Sequence, residues 1–144
     1  MFYGEYERSL DDKGRVILPA EFRNLLGDNG FITKVLDGCL AIYTTEEFDK
    51  VAATMQENAR RGGQTERHVA RSFAAGSRPI APDRQGRIAV PPNLQEFAGL
   101  TRDVMVNGSI NRIEIWDATR WRAVNQEGER MLRDADAGLA GMTI

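Results

Sequence analysis

The sequence predicts an α+β fold in which one structural unit is written twice and the copies pack about a pseudo-two-fold axis to share one barrel. Four observations carry this expectation. The string Asp-x-x-Gly-Arg occurs at Asp11, Gly14 and Arg15 and again at Asp83, Gly86 and Arg87. A shift of 72 residues also superposes Gly4 on Gly76, Pro19 on Pro91 and Gly27 on Gly99, with the apolar pairs Val16/Ile88, Leu18/Val90, Phe22/Leu94 and Leu25/Phe97. After one inserted residue a shift of 73 aligns Leu40/Ile113, Ile42/Ile115, Tyr43/Trp116 and Phe48/Trp121. Finally, each copy alone is too small and strand-poor to bury its own sheet, so two copies must combine.

Each element follows from local chemistry. A first strand (residues 4–10; 77–81) enters the Asp-x-x-Gly-Arg turn, where Gly14 and Gly86 supply the positive φ of a tight turn without a Cβ penalty. A second strand (15–18; 87–90) carries branched residues suited to a half-buried pleat. Pro19 and Pro91 open a short helix, where a missing N–H costs nothing, and Gly27 and Gly99 stand where it would be capped. Two further strands follow (31–36 and 39–43; 104–106 and 112–116), with turns expected at Asp37-Gly38 and Asn107-Gly108. A longer helix closes each unit. In the first, Thr44 and Glu47 suit a capping box, with Phe48, Val51, Ala52, Met55 and Ala59 on one face. In the second, Asp117 is the expected N-cap, with Trp121, Val124 and Leu132 inward. Thr65 is placed to cap an extra helix between the units. The boundaries expected are 1–59 for the first repeat, 60–75 for a linking basic helix, 76–135 for the second repeat and 136–144 for a flexible tail.

The 144 residues are 42% hydrophobic and 28% charged, enough for one compact core. No apolar run approaches the ~20 residues that span a bilayer. The first residues have early acids and no apolar stretch of signal-peptide length, so a cytoplasmic protein is expected. The net charge of −2 argues mildly against nucleic acid. Its distribution argues otherwise: between Arg60 and Arg87 seven arginines face only Glu66 and Asp83, a local charge of +5. Such a patch steers DNA within about a Debye length; equally, the basic stretch 60–71 suits a merely solvated face. Cys39 is the sole cysteine and His68 the sole histidine. Cys39 fits a small buried apolar residue and His68 a solvated helix position. Neither an intrachain disulfide nor a Cys/His metal centre is expected, and no cofactor.

At DDKGRVILPAEFR and DRQGRIAVPPNL, with GEYERSL before and RIEIWD after, the sequence resembles the MraZ family, bacterial regulators related to AbrB-type proteins. The resemblance covers nearly the whole chain. It implies two tandem AbrB-like repeats in a swapped-hairpin (double-split) β-barrel with flanking helices. It also implies a cytoplasmic, nucleoid-associated regulator that binds short direct repeats of double-stranded DNA in the promoter of the cell-division and cell-wall gene cluster, assembled as a ring-shaped homo-oligomer.

On that reading Arg15 and Arg87 reach base edges, because the planar guanidinium donates to guanine O6 and N7 together. Lys13 and Arg84 would contact phosphates, which position without specifying. Asp11 and Asp83 hold the loops in shape. The competing reading makes each Asp–Arg pair an internal clamp that never touches DNA. The copies also differ: Asp12-Lys13 in the first loop stands against Arg84-Gln85 in the second. Trp121 and Met131 suit either subunit contacts or core packing. Two other classes compete. Gly108-Ser109 resembles the self-cleaving pair of aspartate-decarboxylase barrels, but Gly-Ser is ordinary in a turn, and one His and one Cys suggest no catalytic centre; no enzyme is expected. The alternative is an antitoxin-like or assembly module that binds a protein partner, although such antitoxins carry one barrel half and a disordered tail.

Overall fold

A computed structural model describes residues 1–134. The first copy runs β1 (Glu5–Ser9), β2 (Arg15–Ile17), α1 (Ala20–Leu26), β3 (Gly30–Lys34), β4 (Leu40–Thr44) and α2 (Thr45–Arg61). Helix α3 (Gln64–Gly76) leads to the second copy: β5 (Arg78–Ile80), β6 (Arg87–Ala89), α4 (Pro92–Phe97), β7 (Asp103–Gly108), β8 (Ile113–Asp117) and α5 (Ala118–Arg133). The fold is mixed α+β. A six-stranded antiparallel sheet, ordered β1-β7-β8-β4-β3-β5, is accompanied by the two-stranded ribbon β2-β6.

The sheet order shows how the copies join. β1 pairs with β7 of the second copy, and β5 pairs with β3 of the first, so the halves exchange their first strands. Their fourth strands meet in the middle, Ala41 opposite Glu114, and their second strands form the ribbon, Val16 opposite Ile88. Backbone pairing does not close this sheet into the expected barrel: β1 and β5 remain its edges, and the ribbon stands apart. The chain leaves the sheet after Ser9, with Leu10 N donating to Arg102 O, and turns through the Asp-x-x-Gly-Arg loop before the ribbon begins.

Ribbon and sheet pack face to face around one core. Val16, Leu18, Ile88 and Val90 from the ribbon side meet Ile32, Leu40, Ile42, Val104, Val106, Ile113 and Ile115. Because side chains alternate along a strand, the other sheet face receives the long helices. There Phe48 of α2 stacks between Phe31 and Phe73, at centroid distances of 4.1 and 5.7 Å, and Trp121 of α5 lies 5.7 Å from Trp116. Thr44 and Asp117 cap their helices, accepting from Glu47 N at 3.2 Å and Arg120 N at 3.1 Å, but the expected box at Thr44 is only half made, because the Glu47 carboxylate accepts from Lys50 Nζ at 3.2 Å instead.

Several local expectations are corrected. Asn107 and Gly108 belong to β7, and the turn lies at 109–112, where Ile110 takes φ 66°. The residues at 2–4 explain this: Phe2 pairs with Ile110, and Gly108 N donates to Gly4 O at 2.8 Å. A Cβ on Gly108 would collide with the Phe2 backbone, so this glycine serves close approach rather than the turn. Helix α3 begins one residue before Thr65, and Glu66 accepts from Gly63 N at 2.8 Å, taking the capping role. Helix α2 runs through Arg61, so the linking helix expected over 60–75 is α3 at Gln64–Gly76, with Gly62 and Gly63 between the two. Val124 and Leu132 do not turn inward; they are 45% and 60% exposed, and the face of α5 that packs on the sheet carries buried Ala118 and half-buried Trp121 instead. The tail at 136–144 lies outside the described residues.

Candidate nucleic-acid interface

The two Asp-x-x-Gly-Arg loops are built alike, because one carboxylate organises each. Asp11 Oδ1 accepts from Lys13 N at 2.9 Å and Arg15 N at 2.8 Å, and its Oδ2 accepts from Arg15 Nε at 2.7 Å. Asp83 repeats this with Gln85 N at 2.9 Å, Arg87 N at 2.9 Å and Arg87 Nε at 2.8 Å. Both carboxyls are held below their ordinary 3.8, chiefly by the backbone N–H of Arg15 or Arg87, with the arginine side chain assisting. Gly14 and Gly86 take φ of 73° and 79°. They are also close-packed: a Cβ on Gly14 would strike Gln95, and one on Gly86 would strike Arg23.

The ribbon then fixes where the arginines point. Val16 and Ile88 face the core, so Arg15, Ile17, Arg87 and Ala89 share the opposite face. Ile17 and Ala89 are exposed there, and the two arginines are half-buried. Arg15 stands opposite Ala89 and Arg87 opposite Ile17, which makes the arginines diagonal neighbours, about 7–8 Å apart in an antiparallel pair. The loops cap opposite ends of the ribbon, with Val90 N donating to Gly14 O and Leu18 N to Gly86 O, both at 2.9 Å. Exposed Lys13 and Arg84 flank this face, with no side-chain hydrogen bond or ion pair among the described residues.

The clamp between each Asp and its Arg is therefore real, yet it engages only Nε. The terminal nitrogens of both guanidinium groups make no hydrogen bond among the described residues. Clamping and outward recognition are compatible: the carboxylate fixes the plane of the fork and leaves its two-donor end open.

Other singled-out residues fall elsewhere. Cys39 is buried, its thiol pushed up to about 12 by burial, which makes it a poor nucleophile. His68 is exposed on α3. Ser109 opens the turn after β7, its N–H donating to Arg112 O at 2.8 Å. No group of three His, Cys, Asp or Glu suited to a metal occurs among the described residues. No helix of the described chain is long and apolar enough to cross a membrane. Trp121 is half-buried and donates to Glu5 Oε2 at 2.8 Å, while Met131 is 39% exposed.

The sequence reasoning missed Arg23 and Gln95, which lie over Gly86 and Gly14 from the opposite half. The signal was present: the shift of 72 superposes them as long polar side chains at one position of the two short helices.

The family described as "MraZ protein, putative antitoxin-like" matches the chain twice, over residues 1–71 and 73–141. The chain is 43% identical over 123 residues to the transcriptional regulator MraZ of Acetivibrio thermocellus, covering 85% of each protein. It is 41% identical over 134 residues to the MraZ regulator of Cutibacterium acnes, covering 93% of this chain and 94% of that one. The Frankia alni regulator is 43% identical over 129 residues, with 90% of each chain covered.

Proposed function

The chain belongs to the MraZ family, and on that premise we propose that it is a DNA-binding transcriptional regulator that reads sequence with the β2-β6 ribbon. The observation that carries this reading is the pair of arginines on one ribbon face, each fixed through Nε with its outer nitrogens unused. A major groove about 12 Å wide admits a two-stranded ribbon, and an arginine fork matches guanine O6 and N7. Lys13 and Arg84, free at the loop tips, take phosphates on either side and set the register. Gly14 and Gly86 let the loops turn tightly enough for this, and Asp11 and Asp83 keep them folded when DNA is absent.

The finer reading follows the family. The target is a set of short direct repeats in the promoter of the cell-division and cell-wall gene cluster, and the protein is cytoplasmic and nucleoid-associated. The exchange of β1 and β5 supports the family's swapped-hairpin barrel. One ribbon covers few base pairs, so a ring-shaped homo-oligomer presenting several ribbons to repeated boxes gains affinity through effective concentration.

A footprint on the protein's own upstream region tests the reading. Wild type should protect repeated boxes, and Arg15→Ala with Arg87→Ala should abolish protection. Arg15→Ala alone should cost about 1–3 kcal/mol on the specific site. Equal loss on specific and random duplexes would reduce Arg15 to electrostatics. No protection, together with a stable protein partner, would favour the antitoxin-like alternative.

A further inference from the structure

The two loops are roofed by different side chains. Helix α4 sends Gln95 over Gly14, where its Nε2 donates to Val90 O at 2.8 Å. At the equivalent position of α1 stands Arg23, whose guanidinium lies so close to Gly86 that a Cβ there would be 2.6 Å from Cζ. Each short helix thus covers the loop of the other half. Arg23 is half-buried, and its side chain makes no hydrogen bond or ion pair among the described residues. A guanidinium stays charged at any working pH, so this one brings an uncompensated cation to the loop that already holds Arg84 and Arg87. With its roof the second loop has three cations against Asp83. The first has Lys13 and Arg15 against Asp11 and Asp12, with a neutral roof.

We propose that Arg23 is a DNA-contacting residue lent by the first half to the second loop, where it binds a backbone phosphate beside the nucleotides met by Arg84 and Arg87. The proposal rests on the ribbon reading above. No carboxylate among the described residues fixes the Arg23 fork, unlike those of Arg15 and Arg87, so it suits a phosphate, which accepts from many directions, better than a base edge. The second loop is accordingly the stronger electrostatic anchor of the two. Arg23 also sits in the last turn of α1, where a cation complements the helix dipole. That role alone would affect stability and not the counterions released by DNA.

The test substitutes Arg23→Gln, which copies the roof of the first loop, and Arg23→Lys, which keeps the charge. Affinity for a promoter duplex and a scrambled duplex is measured across a salt series, with melting temperature as the control for folding. Arg23→Gln should weaken binding several-fold on both duplexes and lower the slope of log K against log salt by about 0.9; Arg23→Lys should restore the slope. An unchanged slope in Arg23→Gln overturns the proposal, whether affinity holds or falls. If Arg15→Ala and Arg87→Ala still abolish specific binding in that case, the ribbon reading survives without Arg23. If they too leave binding intact, the ribbon reading itself has failed.

Discussion

In β4 the first half brings Leu40, Ala41 and Ile42 to the molecular axis; in β8 the second brings Ile113, Glu114 and Ile115. The central residues are equivalents, and they sit directly opposite one another. The same holds in the ribbon, where Val16 faces Ile88. These are the places where duplication sets a residue against its own copy. An apolar pair tolerates likeness there, but a charged pair does not, since like charges directly opposite are destabilising. Glu114 can be used once only. Its Oε1 accepts from Trp116 Nε1 at 3.0 Å, its Oε2 from Arg112 Nε and Nη2 at 2.9 and 2.6 Å, and Arg112 Nη1 donates to Tyr43 OH at 2.7 Å. The small Ala41 leaves the room. The loops lie off the axis, so they keep the same Asp, Gly and Arg without conflict. A pseudo-symmetric chain is free to be alike at its periphery and must differ where its copies touch.

The largest expected effect comes from separating the halves. Residues 76–134 alone would have to pair Glu114 with another Glu114 and should remain unfolded. Residues 1–61 alone pair Ala41 with Ala41 and should self-associate. Circular dichroism and sedimentation would show this, and mixing should yield a one-to-one complex. Identical behaviour of both halves would remove the axial argument. Next, Glu114→Ala strands Arg112 in a largely buried site and should cost about 3 kcal/mol in urea unfolding; a loss near zero would show that the network does not stabilise the axis.

Smaller effects sharpen the likeness of the loops. Gly14→Ala and Gly86→Ala each force a Cβ into the left-handed region at about 1–2 kcal/mol. Gly14→Ala should cost about 1 kcal/mol more, because it displaces the Gln95 amide from its hydrogen bond to Val90 O, whereas Arg23 is free to move. Thermal melts of the pair would detect the difference. The smallest effect is acid sensitivity. Asp11 and Asp83 have carboxyls depressed in the folded state, so their contribution is complete above the ordinary 3.8 and is lost as pH falls through the lower folded values. Asp11→Asn and Asp83→Asn should each remove the same small part of the acid-induced loss of stability. Unequal removal would show that the loops are not equivalent.

Much of this was legible in the sequence. The spacing of Asp, Gly, Arg and Pro placed both loops, the ribbon strands and the short helices, because each depends on local backbone chemistry. The Thr44 and Asp117 caps were legible for the same reason. Pairing between halves was foreshadowed only by the family resemblance, since nothing within residues 5–9 encodes that their partner is β7. Asn107-Gly108 looked like a turn because that dipeptide usually is one; the backbone of Phe2 approaching Gly108 overrides the local preference. The inward face of α5 was not legible because its packed stripe runs through Ala118, Trp121 and the polar Asn125, which a search for apolar periodicity passes over in favour of Val124. Arg23 was passed over because its neighbour, Gly86, is sixty-odd positions away.

The exchange of first strands also sets an order of events during synthesis. β1 ends at Ser9 and its partner begins at Asp103, so at roughly 5–20 residues per second the strand waits on the order of 5–20 s for the chain that will hold it. An unpaired strand leaving the ribosome is an aggregation hazard. β1 carries Glu5, Glu7 and Arg8 among its five residues, charges of the kind that guard an exposed edge. The acids that later meet Trp121 and Arg122 on α5 thus have an earlier use, keeping the first-made strand solvated until the last-made strands arrive.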